Sequence, residues 1–207
     1  MIINDKITEY DIQHAGPSIL VTYGRITRKE YENLISLPKK QRVVQTGLMI
    51  KEDKTLYDDI QRGYKEYTTK LIEENNILPE QVLEINHDAV WVHGIVPKKC
   101  KFGEVVFRKK KRFSIMWLYD KKNIRIYYEP LNDEIFIRGS KFNDNDFLKK
   151  ELTEILKMYD RNQHKLLYYK LHKLKLQLKE NRISLGDDLI PGISNVKMIN
   201  KLIHDLL

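Results

Sequence analysis

The spacing of apolar residues changes twice along the chain, and this limits the folds open to it. Over 55–74, "TLYDDIQRGYKEYTTKLIEE", Leu56, Ile60, Tyr64, Tyr67, Leu71 and Ile72 recur at helical intervals, with Gly63 as the weak point. The period then drops to two. "QVLEIN", a His87–Asp88 break and "AVWVHG" predict a β-hairpin, and further strands follow at 104–108, 111–119, 123–128 and 134–138. Lys121, Lys122 and Asn123 supply one turn, and Asn132 and Asp133 another. From Asn145 the helical period returns over 146–159, 161–181 and, after the Pro191–Gly192 break, 194–206. Upstream, 6–12 read as a strand, and Pro17 opens a helix through Tyr23. Thr27 and Glu30 form a capping-box pattern for a helix that Pro38 ends. "RVVQTGLMI" reads as a strand or an extended connection. The expectation is an α+β fold with a mainly antiparallel sheet, packed helices and a C-terminal helical region. Its expected division is 1–142 and 143–207.

At 207 residues the chain can bury a core without covalent staples. Lys and Arg number 37 against 29 Asp and Glu, a net charge of +8, which favours an anionic partner such as nucleic acid. A single cysteine, Cys100, excludes an internal disulfide framework and a cysteine zinc cluster. No apolar run approaches the ~20 residues of a membrane span. The first residues, "MIINDKITEYD", lack a secretion pattern, so an intracellular setting is expected. The histidines show no close ligand spacing, and there is no P-loop glycine cradle.

Two acids stand out. In "EYDIQHAGPSIL", Asp11 ends a strand just before Gly16, Pro17 and Ser18. In "EINHDAVWV", Asp88 sits at a hairpin tip without the glycine that makes tight turns cheap. Each fits a turn or capping aspartate. If the two strands are neighbours, the pair also fits a Mg²⁺ site, because Mg²⁺ accepts a few hard oxygen ligands and keeps waters. "FRKKKRF" places five cations between two aromatics. On a strand, Lys109, Lys111 and Phe113 share one face, and Arg108, Lys110 and Arg112 the other. That pattern suits phosphate binding or a solvated edge strand. The 161–181 helix carries a lysine face against a leucine stripe, and its Tyr168 and Tyr169 suit base stacking or core packing.

These stretches resemble family B DNA polymerases. "DIQHAGPSI" is similar to the first palm motif, D-x-x-S-L-Y-P-S-I, with Asp11, Pro17, Ser18 and Ile19 matching. "INHDAVWV" is similar to the third, Y-G-D-T-D-S-V-x-V, with Asp88 on the second acid and Asn86 in place of the first. "KKRF", residues 110–113, resembles the K-K-R-Y element that holds the primer terminus. The resemblance implies a reduced palm over about 6–140, with Asp11 and Asp88 holding Mg²⁺ or Mn²⁺ for nucleotidyl transfer. Lys109, Lys110, Lys111 and Arg112 would hold the primer, and Lys39 and His14 would meet the nucleoside triphosphate. It further implies DNA rather than RNA, a part in DNA replication, a phage or mobile-element origin with virion association open, and a protein partner supplying the fingers. Departures are plain. Gly16 replaces the tyrosine that excludes a ribose 2′-hydroxyl, His14 replaces a serine, and Glu84 and Ile85 replace Tyr-Gly. The second motif, K-x-x-x-N-x-x-Y-G, survives only as Lys39 and Gly47, with Val43 and Thr46 at its Asn and Tyr. Two other readings stand beside an active transferase. One is a catalytically inactive, polymerase-derived nucleic-acid-binding, structural or accessory protein. The other is a basic α+β interaction domain.

Overall fold

The computed structural model describes residues 1–119, 124–139, 145–180, 188–189 and 193–206. The expected turn at Lys121–Asn123, the Pro191–Gly192 break and the 142/143 boundary lie outside these. The fold is α+β, and its chain contacts form two units, Thr8–Lys111 and Met1–Ile7 with Arg112–Leu207. The two longest strands, β1 (Ile2–Ile12) and β5 (Val105–Tyr119), supply residues to both. The helices after residue 145 therefore group with the later strands and do not form a body of their own.

In the Thr8–Lys111 unit, β1 leads into α1 (Ala15–Thr22), α2 (Arg28–Ser36), α3 (Lys39–Glu52) and α4 (Thr55–Glu74). Then come β2 (Val82–Asn86), β3 (Ala89–His93), β4 (Lys101–Phe102) and the start of β5. The strand order is β2-β3-β1-β5, and β4 pairs β5. The hairpin is antiparallel with Asn86 opposite Ala89 and Ile85 opposite Val90. Its turn puts His87 at φ 50°, a left-handed conformation usually left to glycine or asparagine. The capping box forms as expected: the Glu30 amide donates to Thr27 Oγ1, and the Thr27 amide to the Glu30 carboxylate. Gly63 has a packing reason. A Cβ there would lie 2.4 Å from Ile19 Cγ2, so α1 crosses α4 at a distance only glycine allows. Tyr10, Ile12, Ile19, Leu71, Val90, Val92 and Phe107 fill the core on that side.

"RVVQTGLMI" is not extended but lies inside α3. Pro38 sits just ahead of the first helical residue, and Lys39 to Arg42 are good helix formers. The helix buries only Thr46 and leaves Val43, Val44 and Leu48 exposed, so no apolar stripe announced it.

In the other unit, β5 pairs β6 (Ile124–Glu129) and β6 pairs β7 (Glu134–Arg138), both antiparallel, with Trp117 opposite Ile126 and Tyr127 opposite Phe136. The strands expected at 104–108 and 111–119 are one continuous β5. Three helices follow: α5 (Asp146–Asp160), α6 (His164–Lys179) and α7 (Asn195–Leu206). Asn145 caps α5 by accepting the Leu148 amide at 2.9 Å. Ile115, Trp117, Ile124 and Ile126 are buried with Leu152, Ile155, Leu171, Ile199 and Leu202. Each such side chain contributes about 1.5–3 kcal/mol by leaving water. Asp205 on α7 is tied into this core. Trp117 Nε1 donates to it at 2.8 Å, Lys201 Nζ at 2.5 Å and the Met1 amino group at 3.2 Å.

Candidate functional site

The sheet brings the two singled-out acids together. The amide of Ile12, one residue past Asp11, donates to the carbonyl of Asp88 at 2.9 Å, and the Gln13 amide donates to Val106 on β5 at 2.8 Å. The strand end carrying Asp11 is thus fixed between the hairpin turn and β5. Both acids border one cavity of about 560 Å³, together with His14, Lys39, Arg42 and Tyr64. All six belong to the Thr8–Lys111 unit.

The electrostatics are mixed. Burial pushes the Asp88 carboxyl up, and the charge of Asp11 pushes it further, against its own backbone amide, Lys110 and His87. Tyr64 on α4 is pushed up to about 12 by burial and by the charges of Asp88 and Asp11. Lys110 on β5 answers them: its Nζ lies 2.5 Å from Asp11 Oδ2 and 3.3 Å from Glu9 Oε1. Burial works to lower the Lys110 pKa, but the hydrogen bond it donates to Asp11 and the charge of Glu9 hold it above its usual value. Glu9, two residues before Asp11 and on the same face of β1, is almost fully enclosed.

The same cavity is lined by cations of α3. Lys39 is exposed at its start, and Arg42 follows about one turn later, donating to the Leu37 carbonyl at 3.1 Å. The N-terminal end of α1 also borders the cavity through Ala15, Gly16 and Pro17, and a helix start carries positive partial charge. His14 precedes it in a left-handed conformation, φ 52°. Burial lowers its pKa, and the charges of Arg42 and Arg108 lower it further. Its Nε2 lies 2.9 Å from Gln13 Nε2. Its buried Nδ1 has no partner among the described residues. Gly16 is hemmed in by α3: a Cβ there would stand 3.3 Å from Thr46 Cγ2.

Four predicted residues therefore meet at one place: Asp11, Asp88, His14 and Lys39. Lys110 joins them as an ion-pair partner of Asp11. Lys109, Lys111 and Arg112 do not border the cavity, and Arg112 belongs to the other unit. Arg42, Tyr64 and Glu9 were not picked out. Glu9 was readable from its i−2 position on the strand, and Arg42 from its helical spacing to Lys39 once α3 is known to be a helix. Among the described residues no group of three or more His, Cys, Asp or Glu is gathered for a metal. Two hard carboxylates with raised mutual repulsion fit a Mg²⁺ or Mn²⁺ ion that keeps waters and takes further oxygens from a phosphate.

The class so defined is an α+β protein with an acid pair and two cations lining one cavity. The family model for Bacteriophage PBS1 gene 130 protein matches residues 1–206, and the chain belongs to that family. A search of curated proteins gave no match. Among the described residues no helix is long and apolar enough to cross a membrane.

Proposed function

We propose that this phage-family protein is a reduced, polymerase-like nucleotidyltransferase acting on a nucleic-acid primer end, DNA before RNA. The observation that carries the reading is that Asp11 and Asp88 line one cavity together with Lys39 and Arg42. A cavity lined by both acids and cations suits a triphosphate whose charge is divided between divalent ions and basic side chains. Asp11 and Asp88 would hold Mg²⁺ or Mn²⁺, which when bound supplies charge neutralisation for phosphoryl transfer. Lys39, Arg42 and the start of α1 bind phosphate oxygens. His14 is held by Gln13, and burial disfavours its charged form. The narrow space over Gly16 is set by Thr46, so sugar selection rests on α3 and not on a tyrosine.

Extension of a labelled primer–template with Mn²⁺ or Mg²⁺ and nucleoside triphosphates tests this. Asp11→Asn and Asp88→Asn each are expected to lower extension at least about 10²-fold.

One observation favours a second reading, an inactive polymerase-derived binding protein. The Lys110 ammonium already neutralises Asp11. Absence of extension by the parent chain, with oligonucleotide binding kept in both Asn variants, selects this reading and rejects the first.

A further inference from the structure

The outer face of α6 has a composition that its packing does not require. Its sixteen residues, "HKLLYYKLHKLKLQLK", carry five lysines, two histidines and no carboxylate. Leu167, Leu171 and Leu174 are buried and account for the inner stripe. Lys170 is engaged with Glu151 and Glu154 of α5. Lys165, Lys173, Lys175 and Lys179 are exposed, and among the described residues no carboxylate lies within ion-pair distance of them. Between these lysines stand Tyr168 and Tyr169, 59% and 67% exposed. Core packing, one of the two roles open to them in the sequence, is taken by neither. Lys165, Tyr169, His172 and Leu176 follow at i, i+4, i+7 and i+11, a single ridge opposite the buried leucines.

We propose that this ridge is a separate binding site for single-stranded nucleic acid. The lysines meet phosphates and the tyrosines stack on unpaired bases. Two features of the face select that partner. The first is charge: with four exposed lysines against one carboxylate, Glu180, in the groove shared with Tyr169 and Lys173, the face is net cationic, complementary to a polyanion and repelled by a second copy of itself. The second is the aromatic pair. An exposed ring gains by stacking only on a base whose face is free, and duplex bases are already stacked on one another. The site lies wholly on α6 and does not depend on chemistry at Asp11 and Asp88.

The test uses the full chain in EDTA and a fluorescein-labelled oligothymidylate followed by anisotropy. Tyr168→Ala with Tyr169→Ala is expected to weaken binding about tenfold or more, and the two Phe replacements to restore it, because stacking needs the ring and not the hydroxyl. Lys165→Gln with Lys173→Gln is expected to weaken binding and to reduce its salt dependence. Binding is expected to persist in EDTA, where no divalent ion occupies Asp11 and Asp88, which separates this site from the proposed active site. Tyr169→Ala alone, at the more exposed position, is expected to cost about fivefold and carries the test if the double variant misfolds. Unchanged affinity in Tyr169→Ala overturns the proposal. Equal affinity for a duplex of the same length overturns it too, as does equally tight binding of polyglutamate.

Discussion

Asp205 and Asp88 are both carboxylates drawn out of water, and the chain treats them in opposite ways. Burial alone would raise Asp205, but Lys201, Trp117 and the Met1 amino group hold its carboxyl well below the usual range. Asp88 is left raised, beside another acid, with the nearest ammonium on Asp11 and not on itself. A carboxylate whose acceptors are filled is part of the framework. One whose charge is left unmatched costs stability, and such groups concentrate where a ligand completes the site.

Three substitutions bear on that contrast. The largest effect is expected from Asp205→Asn, which leaves Lys201 without its counter-charge and should cost about 2–3 kcal/mol at pH 7. A group whose folded pKa is depressed adds stability above its unfolded pKa and loses it as pH falls. The gap between parent and variant in thermal melts should therefore begin to close below about pH 4 and keep narrowing in stronger acid. A gap constant from pH 7 to pH 3 would remove the ionic account of Asp205. Next, Lys110→Gln should raise Mn²⁺ affinity by about fivefold, near 1 kcal/mol, because an exposed ammonium no longer competes for Asp11. Calorimetric titration reads this directly, and a fall in affinity would make Lys110 part of the site instead of a rival to the ion. The smallest effect is the most diagnostic: Asp88→Asn should stabilise the chain by about 0.5–1 kcal/mol while removing Mn²⁺ binding. Loss of stability in that variant would place Asp88 with Asp205 as a structural acid.

Much of the fold was legible where burial imposes a period. The run 55–74 is α4 at the same bounds, the Thr27–Glu30 box caps α2, and the His87–Asp88 turn joins β2 to β3. α3 was not legible, because Val43, Val44 and Leu48 face solvent and the β-branched run imitates a strand. That error also hid part of the site. Read as a helix, Lys39–Gly47 brings Lys39, Arg42, Val43 and Thr46 to one wall, which a strand would have split between two faces. The alternation across "FRKKKRF" was legible, but the partner of Lys110 was not, since pairing of β1 with β5 is a long-range fact. Tyr64 was read as one of an apolar stripe, and its nearness to two acids follows only from the crossing of α4 with the sheet end.

The uneven anchoring of the cavity walls has a practical corollary. α4 is locked to α1 by the Gly63–Ile19 approach, whereas α3 sinks one threonine and rests Met49 and Ile50 on a neighbouring cluster. An engineer wishing to admit a bulkier guest should leave α4 alone and reshape the shallowly rooted basic wall, where replacements disturb few interior neighbours.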